Sequence, residues 1–184
     1  DLAQEIDNLV TLCAHSSNKA SNSRERFDLG HEIELRMPRE FRRAQLRAVR
    51  IELSLEGDLS MVGDREALLL MVRNLVGNAV SFSPPEGLVR MSVEGLEREI
   101  VLAVEDQGPG VELANRTRIF QPFQRGSDRP GKRAGFGLGL ALSQEAVQAQ
   151  GGLLAVSDSE LGGARFTARF PRQTPGSIGS VPRG

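Results

Sequence analysis

The sequence predicts an α+β fold: a two-layer sandwich in which a mixed, mostly antiparallel sheet is covered by helices on one face, with a separate helix at the N-terminus. Three observations carry this expectation. Short segments with alternating apolar residues, at 51–57, 89–95, 99–106, 153–159 and 164–170, read as half-buried strands. Longer segments at 64–82 and 137–150 instead place their apolar residues at helical spacing. Two of the strand pairs are joined by short turns, so those neighbours should run antiparallel.

Taken in order, residues 1–20 look helical, with Leu2, Ile6, Leu9 and Cys13 repeating at spacings that fit either a coiled-coil seam or an amphipathic helix packed on its own domain. A polar stretch follows, and a second helical pattern starts near Phe27 with Asp28 as its cap; Pro38 should interrupt it. IELSLEG (51–57) alternates Ile51, Leu53 and Leu55. Asp64 caps the next helix, Glu66 lies in its first turn where the macrodipole favours an anion, and Leu68, Val72, Leu75, Val76 and Ala79 form its apolar face. SPPEG (83–87) ends it. The strands 89–95 and 99–106 form a hairpin, a short helix is expected near 112–119, and a basic Gly/Ser/Pro loop occupies 124–134. The helix from about 137 stops at Gly151 and Gly152. LLAVSDS and ARFTARF, joined by ELGG, make the last hairpin.

Composition narrows the function classes. With 184 residues, 39% hydrophobic and 26% charged, the chain can build one ordinary core and a small appendage. ALLLMV (67–72) is far short of the ~20 apolar residues of a membrane span. The single cysteine, Cys13, excludes an internal disulfide and a cysteine-rich zinc site, and fits a reducing compartment such as the cytoplasm. It reads as a small core residue or a thiol at a dimer seam. A net charge of −1 gives no reason to expect nucleic acid as a partner. The chain opens on Asp1 and is expected to be part of something longer; its Gly/Pro/Ser-rich end, 172–184, has the composition of a disordered tail.

Three motifs stand out against this frame. In RNLVGNAV (73–80), Asn74 and Asn78 share one helical stripe with Leu70 and Ser81. Two neutral carboxamides there could hold a hydrated Mg²⁺ and phosphate oxygens, or could simply bond neighbouring backbone. VEDQGPG places Asp106 at the end of an apolar strand, where a carboxylate can accept from an exocyclic amine; Gly108 and Gly110 would let the backbone approach a flat ring, although the segment also suits a plain turn. AGFGLGLAL sets Gly135, Gly137 and Gly139 at a helix entrance, where free N–H groups and the positive end of the dipole suit a phosphate chain. It is neither a Rossmann fingerprint nor a Walker loop. Arg125, Arg129, Lys132 and Arg133 precede it and could fold over phosphates as a lid, or be a solvated basic loop.

Together and in this order, the motifs resemble the ATP-binding domain of bacterial sensor histidine kinases, in the superfamily shared with DNA gyrase B, Hsp90 and MutL. The resemblance spans about 28–171. RNLVGNAVSFSP is similar to the family's N box, VEDQGPG to its G1 box, RIFQPF (118–123) to its F box, GFGLGL to its G2 box, and GGARFTARFP to its closing glycine turn and strand. The resemblance implies a Bergerat ATP-binding fold in which Asn78 ligates Mg²⁺, Asn74 supports the phosphates and Asp106 binds the adenine amine. Phe82, Val111 and Leu138 would border the nucleotide, Gly135, Gly137 and Gly139 would meet the phosphates, and Phe120 and Phe123 would anchor the lid. It further implies ATP and Mg²⁺ as cofactors, a response regulator receiver domain as partner, and a homodimer through dimerisation helices. The domain would be cytoplasmic, and the resemblance leaves room for a parent protein in the bacterial inner membrane.

The domain boundaries expected on this basis are 1–22 for the end of a dimerisation helix and linker, 23–171 for the ATP-binding kinase domain, and 172–184 for the tail. The phosphoacceptor histidine is not in this chain: HEIELRMP (31–38) has the wrong His-to-Pro spacing, so His31 reads as a surface residue, and His15 lacks a matching flank. Two positions depart from the family pattern, Leu70 where a polar or acidic residue is common and Ser81 where Lys or Arg is common. They keep one alternative open beside the kinase, a nucleotide-sensing module without kinase activity; a serine kinase of the anti-sigma type, which shares this fold, is a further alternative, against which the dimerisation-like N-terminal helix argues.

Overall fold

The computed structural model describes residues 24–124 and 137–172. The helix expected over 1–20, with Cys13, lies outside them, as do the basic loop with Arg125, Arg129, Lys132, Arg133 and Gly135, and the tail from 173.

The elements run β1 (Glu25–Asp28), α1 (Leu29–Arg36), α2 (Pro38–Gln45), β2 (Arg50–Gly57), β3 (Ser60–Gly63), α3 (Arg65–Phe82), β4 (Leu88–Gly95), β5 (Glu99–Glu105), α4 (Gly139–Ala149), β6 (Leu153–Asp158) and β7 (Ala164–Pro171). The five-stranded sheet has the order β2-β4-β5-β7-β6. Only β2 and β4 pair in parallel; the other three pairings are antiparallel. A mixed, mostly antiparallel sheet with helices packed on one face is the predicted class.

Alternation decides which face the helices cover. Val89, Met91 and Val93 of β4, Ile100, Leu102 and Val104 of β5, and Phe166, Ala168 and Phe170 of β7 are buried together with Leu68, Met71, Val72, Leu75, Val76 and Ala79 of α3. Each of the larger side chains contributes about 1.5–3 kcal/mol by leaving water, and the two alanines less. Helix α3 begins where Asp64 accepts a hydrogen bond from the Ala67 amide at 3.0 Å. It ends at extended Ser83, ahead of Pro84. Pro38 interrupts the preceding helical stretch by occupying the first position of α2, where its missing N–H is tolerated.

Two expectations are corrected. Asp28 does cap a helix, accepting from the His31 amide at 2.8 Å, but Phe27 belongs to a strand: β1 pairs antiparallel with β3 in a separate two-stranded ribbon. Over 112–119 there is no α-helix but two short 3₁₀ turns, Leu113–Asn115 and Arg118–Phe120. The second stops because Gln121, before Pro122, is forced into extended backbone.

Candidate functional site

Strand β5 delivers Asp106 to its C-terminal end, 3% exposed. The Asp106 amide donates to the Ala164 carbonyl at 3.0 Å, which extends the pairing with β7 by one residue. Its Oδ1 accepts from the Gly108 amide at 2.8 Å and the Ala164 amide at 3.0 Å. Both donors fall on the same oxygen, so among the described residues Oδ2 has no protein donor. Burial pushes the Asp106 carboxyl above the ordinary carboxylate range, and the two backbone hydrogen bonds only partly oppose it. Gly163 packs directly on this carboxylate: a Cβ there would lie 2.2 Å from Oδ1 and 2.4 Å from the Asp106 carbonyl oxygen. Gln107 ties the loop sideways, its Oε1 accepting from the Leu88 amide at 2.8 Å. Gly108 lies against Phe82 at the C-terminal end of α3: a Cβ on it would be 2.9 Å from Asp106 Oδ1 and 3.1 Å from the Phe82 Cβ, crowding both.

The asparagine stripe of α3 splits in two. Asn74 is buried, and its Nδ2 donates to the Gly139 carbonyl at 3.1 Å. The Ser143 hydroxyl donates to the same carbonyl at 2.7 Å. Asn74 therefore holds the first residue of α4. Asn78, one turn on, is half-buried, as are Leu70 and Ser81.

At the mouth of α4 the cap position, buried Leu138, contributes no side-chain hydrogen bond to the first-turn amides, where the positive end of the helix dipole lies. Gly137 adopts a left-handed conformation, φ 68°, and its carbonyl accepts from the Phe123 amide at 3.1 Å. The two ends of the basic loop are thus joined at their base. Phe120 is buried edge-on against Phe166, ring centroids 6.4 Å apart at 87°. Phe123 is exposed with φ 63°, and Phe82 is 45% exposed. Val111 is half-buried, its carbonyl taken by Arg116 Nε at 3.0 Å, and Gly110 has φ 72°.

Asp106, Gly108 and Phe82 are in one neighbourhood, and Asn74 and Gly139 in another that shares α3 with it. The sequence marks Gly163 only as part of the closing glycine turn, not as a residue packed on Asp106, and nothing local marks the role of Gln107. A cleft of about 540 Å³ at the opposite end of the sheet, lined by Leu96, Glu99, Gly152, Leu153 and Arg169 among others, contains none of the expected site residues.

Fold and site define an α+β nucleotide-binding domain with a carboxylate at a strand end and an uncapped glycine helix beside it. Residues 63–174 match the family described as histidine kinase-, DNA gyrase B- and HSP90-like ATPase, and the chain belongs to that family. Its relatives include the sensor protein DivL of Caulobacter vibrioides, 31% identical over 179 residues that are 96% of this chain and 23% of DivL. The virulence sensor histidine kinase PhoQ of Salmonella typhimurium is 32% identical over 71% of this chain and 26% of PhoQ. The chain therefore spans about a quarter of the length of these curated relatives. Among solved structures, a mycobacterial sensor histidine kinase, MprB, superposes with a TM-score of 0.70 at 28% identity, covering 82% of this chain and 99% of that one. Full-length ShkA in complex with AMPPNP gives 0.71 at 26% identity, over 92% of this chain and 35% of that one. The chain is an ATP-binding catalytic domain of the histidine kinase type, and these relatives give no support to the sensing-only or serine kinase alternatives. No helix among the described residues is long and apolar enough to cross a membrane.

Proposed function

We propose that this domain binds Mg·ATP between α3, the Asp106 loop and the mouth of α4, and passes the γ-phosphoryl to a histidine on a dimerisation helix outside this chain. The observation that carries the reading is Asp106: its Oδ1 is occupied by two backbone amides, while Oδ2 is left to accept from the exocyclic amine of adenine. Gly108 and Gly110 keep the loop thin against the base, with Phe82, Val111 and Leu138 at its edge. Gly137 and Gly139 bring uncapped amides to the phosphates, and Asn74 acts through Gly139, fixing where that mouth lies. Phe120, wedged on Phe166, anchors the segment from which Arg125, Lys132, Arg133 and Gly135 would reach the phosphates.

The residues present fit Mg²⁺. Among the described residues no three His, Cys, Asp or Glu cluster to hold a metal, whereas Asn78 offers a half-buried amide oxygen beside the expected phosphates. One protein ligand with phosphate and water is a normal set for Mg²⁺. When bound, the ion would neutralise charge on the phosphoryl group being transferred. The chain's own part is positioning: Asp106 fixes the base, the α4 amides and lid cations fix the phosphates, and the acceptor supplies the nucleophile. The parent protein would act as a homodimer, with a response regulator receiver domain as the next acceptor and the domain in the cytoplasm of a membrane-associated sensor.

Calorimetric titration of the 184-residue chain with ATP tests this. Binding should strengthen with Mg²⁺, and Asp106→Asn should weaken it about 10- to 100-fold, the range for a hydrogen bond to a charged group. Adding a histidine-bearing dimerisation domain and radiolabelled ATP should then label the histidine; no nucleotide binding, or binding untouched by Asp106→Asn, rejects the assignment.

A further inference from the structure

Glu105 and Asp106 are adjacent, both buried, and point to opposite faces of the sheet. The nucleotide reading uses only Asp106. Glu105 lies on the side away from the helices, where Oε1 accepts from Arg165 Nη1 at 3.1 Å and Oε2 accepts from the Ser159 hydroxyl at 3.0 Å.

Ser159 governs the turn between β6 and β7. Its amide donates to the Gly163 carbonyl at 2.9 Å, its carbonyl accepts from the Gly162 amide at 3.0 Å, and its hydroxyl oxygen accepts from the Leu161 amide at 3.0 Å. The hydroxyl's one proton goes to Glu105. The same turn ends in Gly163, packed on Asp106 with no room for a Cβ, and in Ala164, whose amide donates to Asp106 Oδ1. An unbroken path of hydrogen bonds and contact therefore runs from Glu105 through Ser159 and the turn to the carboxylate on the other face.

From this geometry we infer that Glu105 and Ser159 are positioning residues for base recognition: the pair fixes the β6–β7 turn so that Ala164 and Gly163 hold Oδ1 and leave Oδ2 aimed at the adenine amine. The inference rests on the nucleotide reading of Asp106. It differs from a purely structural ion pair in what it controls. A staple between strands would change melting temperature and weaken all nucleotides alike. A positioning pair changes discrimination between a purine with an amine at position 6 and one with a carbonyl there.

The test compares ATP and inosine triphosphate binding, with Mg²⁺, to the full chain and to Ser159→Ala, Glu105→Gln, Asp106→Asn and the double variant of Ser159 and Glu105, each checked by thermal melting. Glu105→Gln is nearly isosteric and keeps the experiment decisive if Ser159→Ala does not fold. Ser159→Ala should weaken ATP binding about three- to tenfold, the scale of one hydrogen bond, while inosine triphosphate binding changes little. Glu105→Gln should narrow the preference in the same direction, and the double variant should narrow it no further than the more affected single variant, because the two act as one unit. Preference retained in both single variants, or parallel loss of both nucleotides, overturns the inference while Asp106→Asn still abolishes the preference. If the unaltered chain shows no preference for ATP, or Asp106→Asn leaves it intact, the assignment of Asp106 itself falls.

Discussion

At one end of β5 and β7 lie Asp106, Gly163 and Ala164; at the other lie Glu99, Arg169 and Arg172. Both ends carry charge, and the second holds a cleft of about 540 Å³. There, Arg169 pairs with Glu99 at 2.6 Å, while Arg172 reaches Asp58 Oδ2 at 3.0 Å and the Leu96 carbonyl at 2.7 Å. Those are cations meeting carboxylates and carbonyls near the surface, and the charges are satisfied within the protein. At the Asp106 end, among the described residues, a buried carboxylate meets only backbone amides and keeps an oxygen without a protein donor. The lesson is that concavity alone does not mark the chemistry. The proposed site rests instead on an acceptor held in place but left incomplete.

Substitutions can break or sharpen this contrast. The largest effect is expected from Gly163→Ala. A Cβ 2.2 Å from Asp106 Oδ1 forces backbone to move, which should lower stability by about 1–3 kcal/mol and take ATP binding below calorimetric detection.

Asp106→Asn should separate function from stability. Because burial raises the Asp106 carboxyl's pKa, the folded chain binds that proton more tightly than the unfolded chain does. The stability this provides is fully present below the ordinary carboxylate range and is lost as pH rises through the raised folded value. Near neutral pH the ionised carboxylate is a burden on the fold, so the nucleotide-free Asp106→Asn chain should melt no lower than the unaltered one while binding ATP far more weakly. On acidification through the raised value, the unaltered chain should lose ATP affinity, since a protonated carboxyl is a poorer acceptor. Melting curves and titrations across the acidic range check both signs.

The smallest effect belongs to the far end. Arg169→Ala removes a half-exposed partner of Glu99 and should cost at most about 1 kcal/mol, with ATP affinity unchanged. A large loss of binding there would erase the distinction between the two ends.

Much of this was legible in the chain. The five strands of the sheet, the long α3 with its Asp64 cap and the glycine-led α4 follow from periodicity and capping residues that act within a few positions. The ribbon of β1 and β3 was not, because Phe27 continues a helical pattern and becomes a strand only by pairing with Met61 far along the chain. The 3₁₀ turns over 113–120 escaped for a related reason. Leu113 and Ile119 fit a helix by composition, yet Arg116 spends its guanidinium on the Val111 carbonyl and Asp158, and Pro122 prevents the turn from lengthening.

By itself, then, the sequence determined the types of the five sheet strands and of the long helices α3 and α4, the face of each that is buried, and the presence of a carboxylate, two carboxamides and a glycine run suited to a nucleotide. Only the tertiary structure decided that Asn74 serves Gly139, 65 residues away, and that Ala164, 58 residues from Asp106, claims one carboxylate oxygen and leaves the other. Periodicity and capping are set by neighbours along the backbone. Which donor meets which oxygen depends on strand register and helix packing, and those exist only once the chain has closed on itself.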